Sequence, residues 1–360
     1  MNITIVVGTR PETIKMAPVI RELKKQNIPF TFIHSGQHYD YNMSLQFIKE
    51  LNLPNPDYTF KLNNCNPASQ IGEMMTKLEE TLQINKSTLI LIQGDTNTML
   101  ATALTGVKLG TKIGHIEAGL RSYDWRMPEE HNRRMVDHIS DHLFAPTETA
   151  KQNLTKEQVY GKIHVTGNTI IDAINQHLPI AEKHSKIMQT INYKEYALAT
   201  LHRAENVDNP KTLKNIIETF MDSPIPMIFP IHPRTTKKLQ QLNLFQNLKN
   251  NKNIQLTPPL GYFDFLILMK HSKIILTDSG GIQEEATSPH IKKHVLVLRL
   301  STERPEAVET GFAKIVGVNK NTILKNLNKH LNEKPNLPSQ SPFGDGKTSQ
   351  KIIKTLMKIT

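Results

Sequence analysis

Apolar and polar positions recur along this chain as a two-part unit. A run of four to six β-branched or aliphatic residues meets a polar or glycine-containing turn, and a stretch with apolar residues three and four apart follows. The runs predict strands and the stretches predict helices. Alternation of this kind implies a parallel sheet, because parallel neighbours need a crossover that a helix supplies. Six runs lie at 3–7, 30–34, 88–92, 112–116, 142–145 and 162–166, and six more at 196–201, 226–231, 253–257, 273–277, 294–299 and 313–316. Two sets of six predict an α/β protein of two Rossmann-like, doubly wound parallel-sheet domains. The stretch 170–193 reads as a polar helix and linker, which puts the exchange between domains at 168–174. Residues 319–330 keep a helical spacing, 333–347 read as a Pro-, Ser- and Gly-rich loop, and 349–358 as a terminal amphipathic helix.

Length and composition agree with this picture. At roughly 150 residues per domain, 360 residues make about two domains. A content of 38% hydrophobic and 21% charged residues excludes collagen-like, low-complexity and wholly disordered chains. The net charge of +11 admits an anionic partner, but 34 of the 44 basic residues are Lys scattered over predicted helices. No Arg-rich or aromatic-interleaved patch calls for nucleic acid. Cys65 is the only cysteine, so an intrachain disulfide and a Cys-based zinc site are out of reach. No apolar run reaches the length of a membrane span or signal peptide. A cytoplasmic protein with no membrane partner is expected.

Polar residues of unusual chemistry gather where the predicted strands end, the edge at which open α/β sheets bind ligands, so an interdomain cleft is expected. Asp278-Ser279-Gly280-Gly281 follows one strand and opens a helix, whose N–H groups and partial positive charge suit a phosphate. The same residues would serve a plain strand-to-helix turn. Glu285, one turn in, suits ribose hydroxyls better than phosphate. Ser301 to Glu306 places the Arg304 guanidinium near that edge, where it can grip a phosphate, while the same stretch reads as a helix start with Ser or Thr as the N-cap before Pro305. Gly8-Thr9-Arg10-Pro11-Glu12, with Lys15, forms a similar turn but fits neither the P-loop nor the dinucleotide spacing, which argues against NAD. Asp95, Glu117, the pair Glu129 and Glu130, and His202 can abstract and return a proton, although each alone would also serve as a cap or ion pair. His131, His138 and His142 are read on one helical face with His138 and His142 four apart. That spacing suits zinc, but no further ligand is evident, and no metal is expected.

The ordered motifs GTRPE, GQHYD, QGDTNT, HIEAGLRS, PEEHNRR, APTE, VTGN, LHRAEN, TDSGGIQEEA and STERPEAV resemble those of the non-hydrolysing UDP-N-acetylglucosamine 2-epimerases from Gly8 to Gly311. The resemblance implies a glycosyltransferase-B-type fold with domains at 1–170 and 171–345 and a helix at 346–360 crossing back to the first. It also implies a homodimer without cofactor that interconverts UDP-GlcNAc and UDP-ManNAc for cell-surface glycan synthesis, by anti elimination of UDP to a 2-acetamidoglucal and re-addition. By motif, Asp95, Glu117, Glu129 and His202 correspond to the catalytic set. Arg10, Lys15, Phe265, Ser279, Gly280, Gly281, Glu285 and Arg304 correspond to substrate contacts, Phe265 lying with the backbone near Leu260 beside uracil. Gln37, His38, Gln70, Arg203 and His232 correspond to an activator site. A hydrolysing epimerase, a UDP-sugar glycosyltransferase of the same fold and a nucleotide-sugar sensor are the alternatives.

Overall fold

The apolar runs form thirteen parallel strands in two sheets, seen in a computed structural model that describes residues 2–37, 41–63, 66–333 and 335–359, without the side chains of 41–45 and 359. His38 and Cys65 lie outside the described residues. The chain divides into two units, Met1–Ala173 with Phe343–Thr360, and Ile174–Pro342.

The first sheet holds β1 (Ile3–Val7), β2 (Phe30–His34), β3 (Tyr58–Thr59), β4 (Leu89–Gln93), β5 (Lys112–Ile116), β6 (His142–Ala145) and β7 (Lys162–Val165), in the order β3-β2-β1-β4-β5-β6-β7. The second holds β8 (Ala197–Thr200), β9 (Met227–Pro230), β10 (Ile254–Thr257), β11 (Ile274–Thr277), β12 (Val295–Val297) and β13 (Ala313–Ile315), in the order β10-β9-β8-β11-β12-β13. Every residue of β1, β4, β8 and β11 is buried, as central strands covered on both faces require. In both sheets the winding reverses beside the first strand, where β1 meets β4 and β8 meets β11. Turns after those four strands are therefore the natural ligand positions.

Two expectations need correction. The first sheet has seven strands rather than six, because β3 pairs only Tyr58 and Thr59 with β2, too short a strand to leave a period-2 signature. The proposed helical face of His131, His138 and His142 does not exist. Helix Pro128–Ile139 stops at an extended Ser140, and His142 opens β6, where its ring faces His164 at 5.9 Å. Among the described residues no group of three or more His, Cys, Asp or Glu is arranged to hold a metal ion, and no helix is long and apolar enough to cross a membrane.

The last residues return to the first unit. Helix Thr348–Ile359 packs on helix Arg10–Lys25 with Ile352, Ile353 and Leu356 fully buried. Its first N–H groups have no partners inside the helix, and the buried Asp172 supplies them. One Asp172 oxygen accepts from Thr348 N at 3.1 Å, and the other from Ser349 N and Oγ at 2.8 Å each. Replacing Asp172 by Ala strands those donors, so Asp172→Ala should cost about 2 kcal/mol and lower Tm by about 4–8 °C in thermal unfolding. An unchanged Tm would mean that the cap carries no weight.

Candidate active site

In the first unit the turn after β1 is tied to the turn after β4. Thr9 caps helix Arg10–Lys25 in a reciprocal capping box with Glu12, and Pro11 occupies the first turn, where its missing N–H costs nothing. Gly8 is required by close approach, since a Cβ there would stand 2.2 Å from Thr98 Oγ1 and 2.5 Å from Ser35 Oγ. One oxygen of the buried Glu12 accepts from Gly8 N at 2.6 Å and Thr9 N at 2.9 Å, while the other meets Thr96 Oγ1 at 2.5 Å. Burial pushes the Glu12 carboxyl up to about 7, against the pull of Thr96 and the two N–H groups and with a smaller push from Asp95.

Asp95, beside it, keeps 29% of its side chain exposed and pairs with Arg133, whose Nε lies 3.0 Å and Nη2 2.5 Å from Oδ2. Asn132 Nδ2 holds the Asp95 carbonyl at 2.9 Å. Beyond β5, Glu117 adopts a left-handed backbone with φ 70°, a strained conformation for a residue with a Cβ. Its Oε2 accepts from the Lys15 ammonium, from Gln93 Nε2 at 3.1 Å and from Asn168 Nδ2 at 3.2 Å. Lys15, expected to face a diphosphate, thus lies buried against Glu117. The adjacent glutamates part company. Glu129 is half-buried in the first turn of its helix, whereas Glu130 is fully buried and binds Ser122 N and Oγ at 2.9 Å and Arg133 Nη1 at 3.0 Å.

Beneath these groups His115 Nδ1 meets Asp137 Oδ1 at 2.8 Å, and its Nε2 meets the Gly94 carbonyl at 2.9 Å. Arg121 Nη1 lies 2.7 Å from Asp137 Oδ2, which also accepts from Gly119 N at 3.1 Å. Burial works to raise the Asp137 carboxyl, but His115 and Arg121 outweigh it and hold it below its ordinary value. Arg10 stands exposed with its guanidinium 5.6 Å from the centre of the Phe47 ring. Gln37 Oε1 accepts from Thr98 N at 3.0 Å and Oγ1 at 2.6 Å, and its carbonyl lies 3.5 Å from Gln70 Nε2.

In the second unit Thr200 and Thr277, paired at the ends of β8 and β11, share a 2.6 Å hydroxyl contact. His202 follows the first and Asp278 the second. Burial lowers the His202 ring below its ordinary value, and although Asp278 and Glu205 pull it up, Arg203 and His232 push it further down, so it is neutral at neutral pH. The His232 ring lies 6.2 Å from that of His202, and its Nδ1 accepts from Arg234 N at 3.2 Å. Ser279 opens helix Gly280–Glu285 without making a side-chain cap. A Cβ on Gly280 would lie 3.1 Å from Glu303 Oε1 and 3.8 Å from Arg304 Cζ, while Gly281 has open space around it apart from Ser279 Oγ.

Arg304 itself occupies the cap position of helix Pro305–Glu309, where Ser or Thr was expected, and Thr302 Oγ1 accepts from its N–H at 3.1 Å. Its buried guanidinium pairs with Glu284. Burial works to raise the Glu303 carboxyl, but Arg304, Arg299 and Arg203 hold it far below its usual range. Phe265 is half-buried on helix Tyr262–His271, and Glu285 is half-buried at the end of its own helix.

In the second unit most of the residues singled out in the sequence sit at the sheet's point of reversal, whereas in the first Arg10, Lys15 and Asp95 do and Glu117 and Glu129 stand beyond β5. Sequence reasoning missed those that hold them: Glu12, Arg133, Asn168, Asp137 and Asp278. Glu12 and Asp278 carried a signal, each lying in a glycine-containing turn at a strand end.

Fold and site together define a two-unit Rossmann-like α/β protein with acid–base groups and a glycine turn at its points of reversal. The family model for UDP-N-acetylglucosamine 2-epimerase matches residues 21–357. A curated UDP-N-acetylglucosamine 2-epimerase of Methanocaldococcus jannaschii is 48% identical over 365 residues, 99% of either chain. A crystal structure of the M. jannaschii UDP-GlcNAc 2-epimerase in complex with UDP-GlcNAc and UDP matches with a TM-score of 0.91 at 48% identity, covering 99% of this chain and 100% of that one. The UDP-2,3-diacetamido-2,3-dideoxy-D-glucuronate 2-epimerase of Pseudomonas aeruginosa is 35% identical over 366 residues, all of either chain. The chain belongs to the UDP-N-acetylglucosamine 2-epimerase family.

The Glu12 carboxyl carries a pH signature. Its folded pKa of about 7 lies above the 4.5 of the unfolded chain, so its contribution is full below pH 4.5 and is lost as pH rises through 7. A Gln amide can accept from Gly8 N and Thr9 N and donate to Thr96 without ionising. Glu12→Gln should therefore match the wild type in Tm near pH 5 and exceed it at pH 8 by roughly 2–3 kcal/mol of stability. A Tm difference that does not grow with pH would refute this account.

Proposed function

We propose that the chain is a non-hydrolysing epimerase that interconverts UDP-GlcNAc and UDP-ManNAc. The observation that carries the reading is the placing of Asp95 after β4 and of Glu117 after the neighbouring β5 in the first unit, and of His202 and the Ser279-Gly280-Gly281 turn at the second unit's point of reversal. The M. jannaschii relative, with UDP-GlcNAc and UDP in its crystal structure, supports the choice of nucleotide sugar.

Elimination breaks C2–H and C1–O and forms a C1–C2 double bond. The proton passes to a base, and UDP leaves with the electron pair of the C1–O bond. Re-addition returns UDP to C1 and a proton to the other face of C2. The half-exposed Asp95, the anchored Glu117, the half-buried Glu129 and the neutral His202 are the proposed proton carriers, a division of labour that needs groups on both faces. The glycine turn and its helix N-terminus receive the diphosphate. Glu285 takes the ribose, Phe265 borders uracil, and Arg10, Lys15 and Arg304 complete the anionic subsite, Lys15 and Arg304 from within ion pairs. No cofactor is required.

Gln37 and Gln70, which touch, are proposed with Arg203 and His232 as contacts for an activating nucleotide sugar. The reading also includes a cytoplasmic homodimer that supplies UDP-ManNAc for surface glycans.

In D2O both UDP-GlcNAc and UDP-ManNAc should acquire deuterium at C2, followed by NMR or mass spectrometry. Turnover without exchange would exclude elimination. Release of free ManNAc would mark a hydrolysing enzyme, inertness until an acceptor is added a glycosyltransferase, and binding without turnover a sensor. Running UDP-2,3-diacetamido sugars alongside distinguishes the activity carried by the P. aeruginosa relative's name.

His202→Ala and Asp95→Asn should each lower kcat by roughly 10³-fold with Tm close to wild type. Wild-type rates in either would remove that residue from the reaction.

A further inference from the structure

The proposed reaction assigns no role to Asp278, yet its carboxylate is fully buried at the second sheet's point of reversal, beside the one imidazole the reaction uses. Oδ2 accepts from Arg203 N at 2.9 Å, from His202 N at 3.1 Å and from Asn206 Nδ2 at 3.2 Å. Asn206 is itself held by the Leu298 carbonyl at 2.9 Å. Oδ1 lies 3.3 Å from His202 Nδ1. Bonds to backbone N–H groups alone would describe a structural tie between the turns after β8 and β11. The approach to a ring nitrogen adds something different: at 3.3 Å it is a charge contact, and a negative charge on that side of the ring favours the tautomer that carries hydrogen on Nδ1.

We propose that Asp278 is the positioning residue for His202, fixing the ring with Nδ1–H toward the carboxylate and leaving Nε2 as the nitrogen that exchanges protons with substrate. The role given to His202 rests on the proposed function. The geometry that orients it does not, so the two are separable by experiment. His202 keeps 40% of its side chain exposed while its partner has none, the arrangement of a working ring on a fixed support. Its charged surroundings are few. Asp278 and Glu205 favour the imidazolium, whereas Arg203 and His232 oppose it together with burial. Removing the Asp278 charge therefore shifts the His202 titration to lower pH.

The experiment uses the full-length protein labelled with 15N-histidine, in wild type and Asp278→Asn. In the wild type the neutral His202 ring should show the Nδ1–H tautomer by 15N chemical shift, a measurement that needs neither turnover nor a variant. In Asp278→Asn the tautomer preference should weaken and the His202 titration should move to lower pH by roughly half a unit or more. kcat should fall on the order of 10²-fold or more while KM for UDP-GlcNAc changes little, and the pH–rate limb set by His202 should move with the titration.

An Nε2–H tautomer in the wild type would overturn the proposal, even if Asp278→Asn failed to fold. So would a folded Asp278→Asn whose tautomer and titration match wild type, since a fall in kcat would then reflect structure alone. If the tautomer and its shift are found but no C2 exchange occurs in wild type, the positioning stands and the epimerase reading falls.

Discussion

The Asp137 carboxylate is the constraint on which the first unit's ligand edge depends. It is buried on helix Pro128–Ile139, and its partners come from two other places in the chain: His115 on β5, and Gly119 and Arg121 on the loop that follows. His115 in turn holds the carbonyl of Gly94, the residue before Asp95. That helix also carries Glu129 and Arg133, the partner of Asp95. Removing one member of such a buried set leaves the others uncompensated, at a cost of about 3–5 kcal/mol, so the network behaves as one piece. Asp95, Glu117 and Glu129 come from different turns, and they keep a common frame because those turns share this anion.

Both sheets solve the same problem in the same way. Where the winding reverses, the turns after two neighbouring strands must be held at a fixed spacing although no ladder bonds join them. In the first unit the Glu12 carboxyl reaches from the turn after β1 to Thr96 after β4. In the second, Asp278 after β11 gathers the N–H groups of His202 and Arg203 after β8. Each acid spends its lone pairs on N–H groups of a turn and on side chains, Thr96 for Glu12 and both Asn206 and His202 for Asp278.

Much of the fold was legible because central parallel strands are near-continuous apolar runs, and all twelve runs read from the sequence became strands. The thirteenth, β3, has two residues and no period to detect. His142 was misplaced because i, i+4 spacing carries no information on whether a helix continues, and here it stops at Ser140. Motif residues were legible as types at strand ends. Their burial was not. Lys15 and Arg304 read as free cations, yet each lies against a carboxylate, Glu117 and Glu284, that is remote in sequence. The +11 charge is likewise a poor guide to the site, since Arg203, Arg299 and Arg304 are balanced locally around Glu303.

The bonds from Asp172 to Thr348 and Ser349 join residues 176 and 177 positions apart in the sequence. Between them lies the whole of the second unit. During synthesis the first unit's sheet is exported early, but the helix that covers Arg10–Lys25 is made only after the second unit. The surface destined for Ile352, Ile353 and Leu356 must therefore wait, bare or shielded by a chaperone, while the second unit is translated and folds.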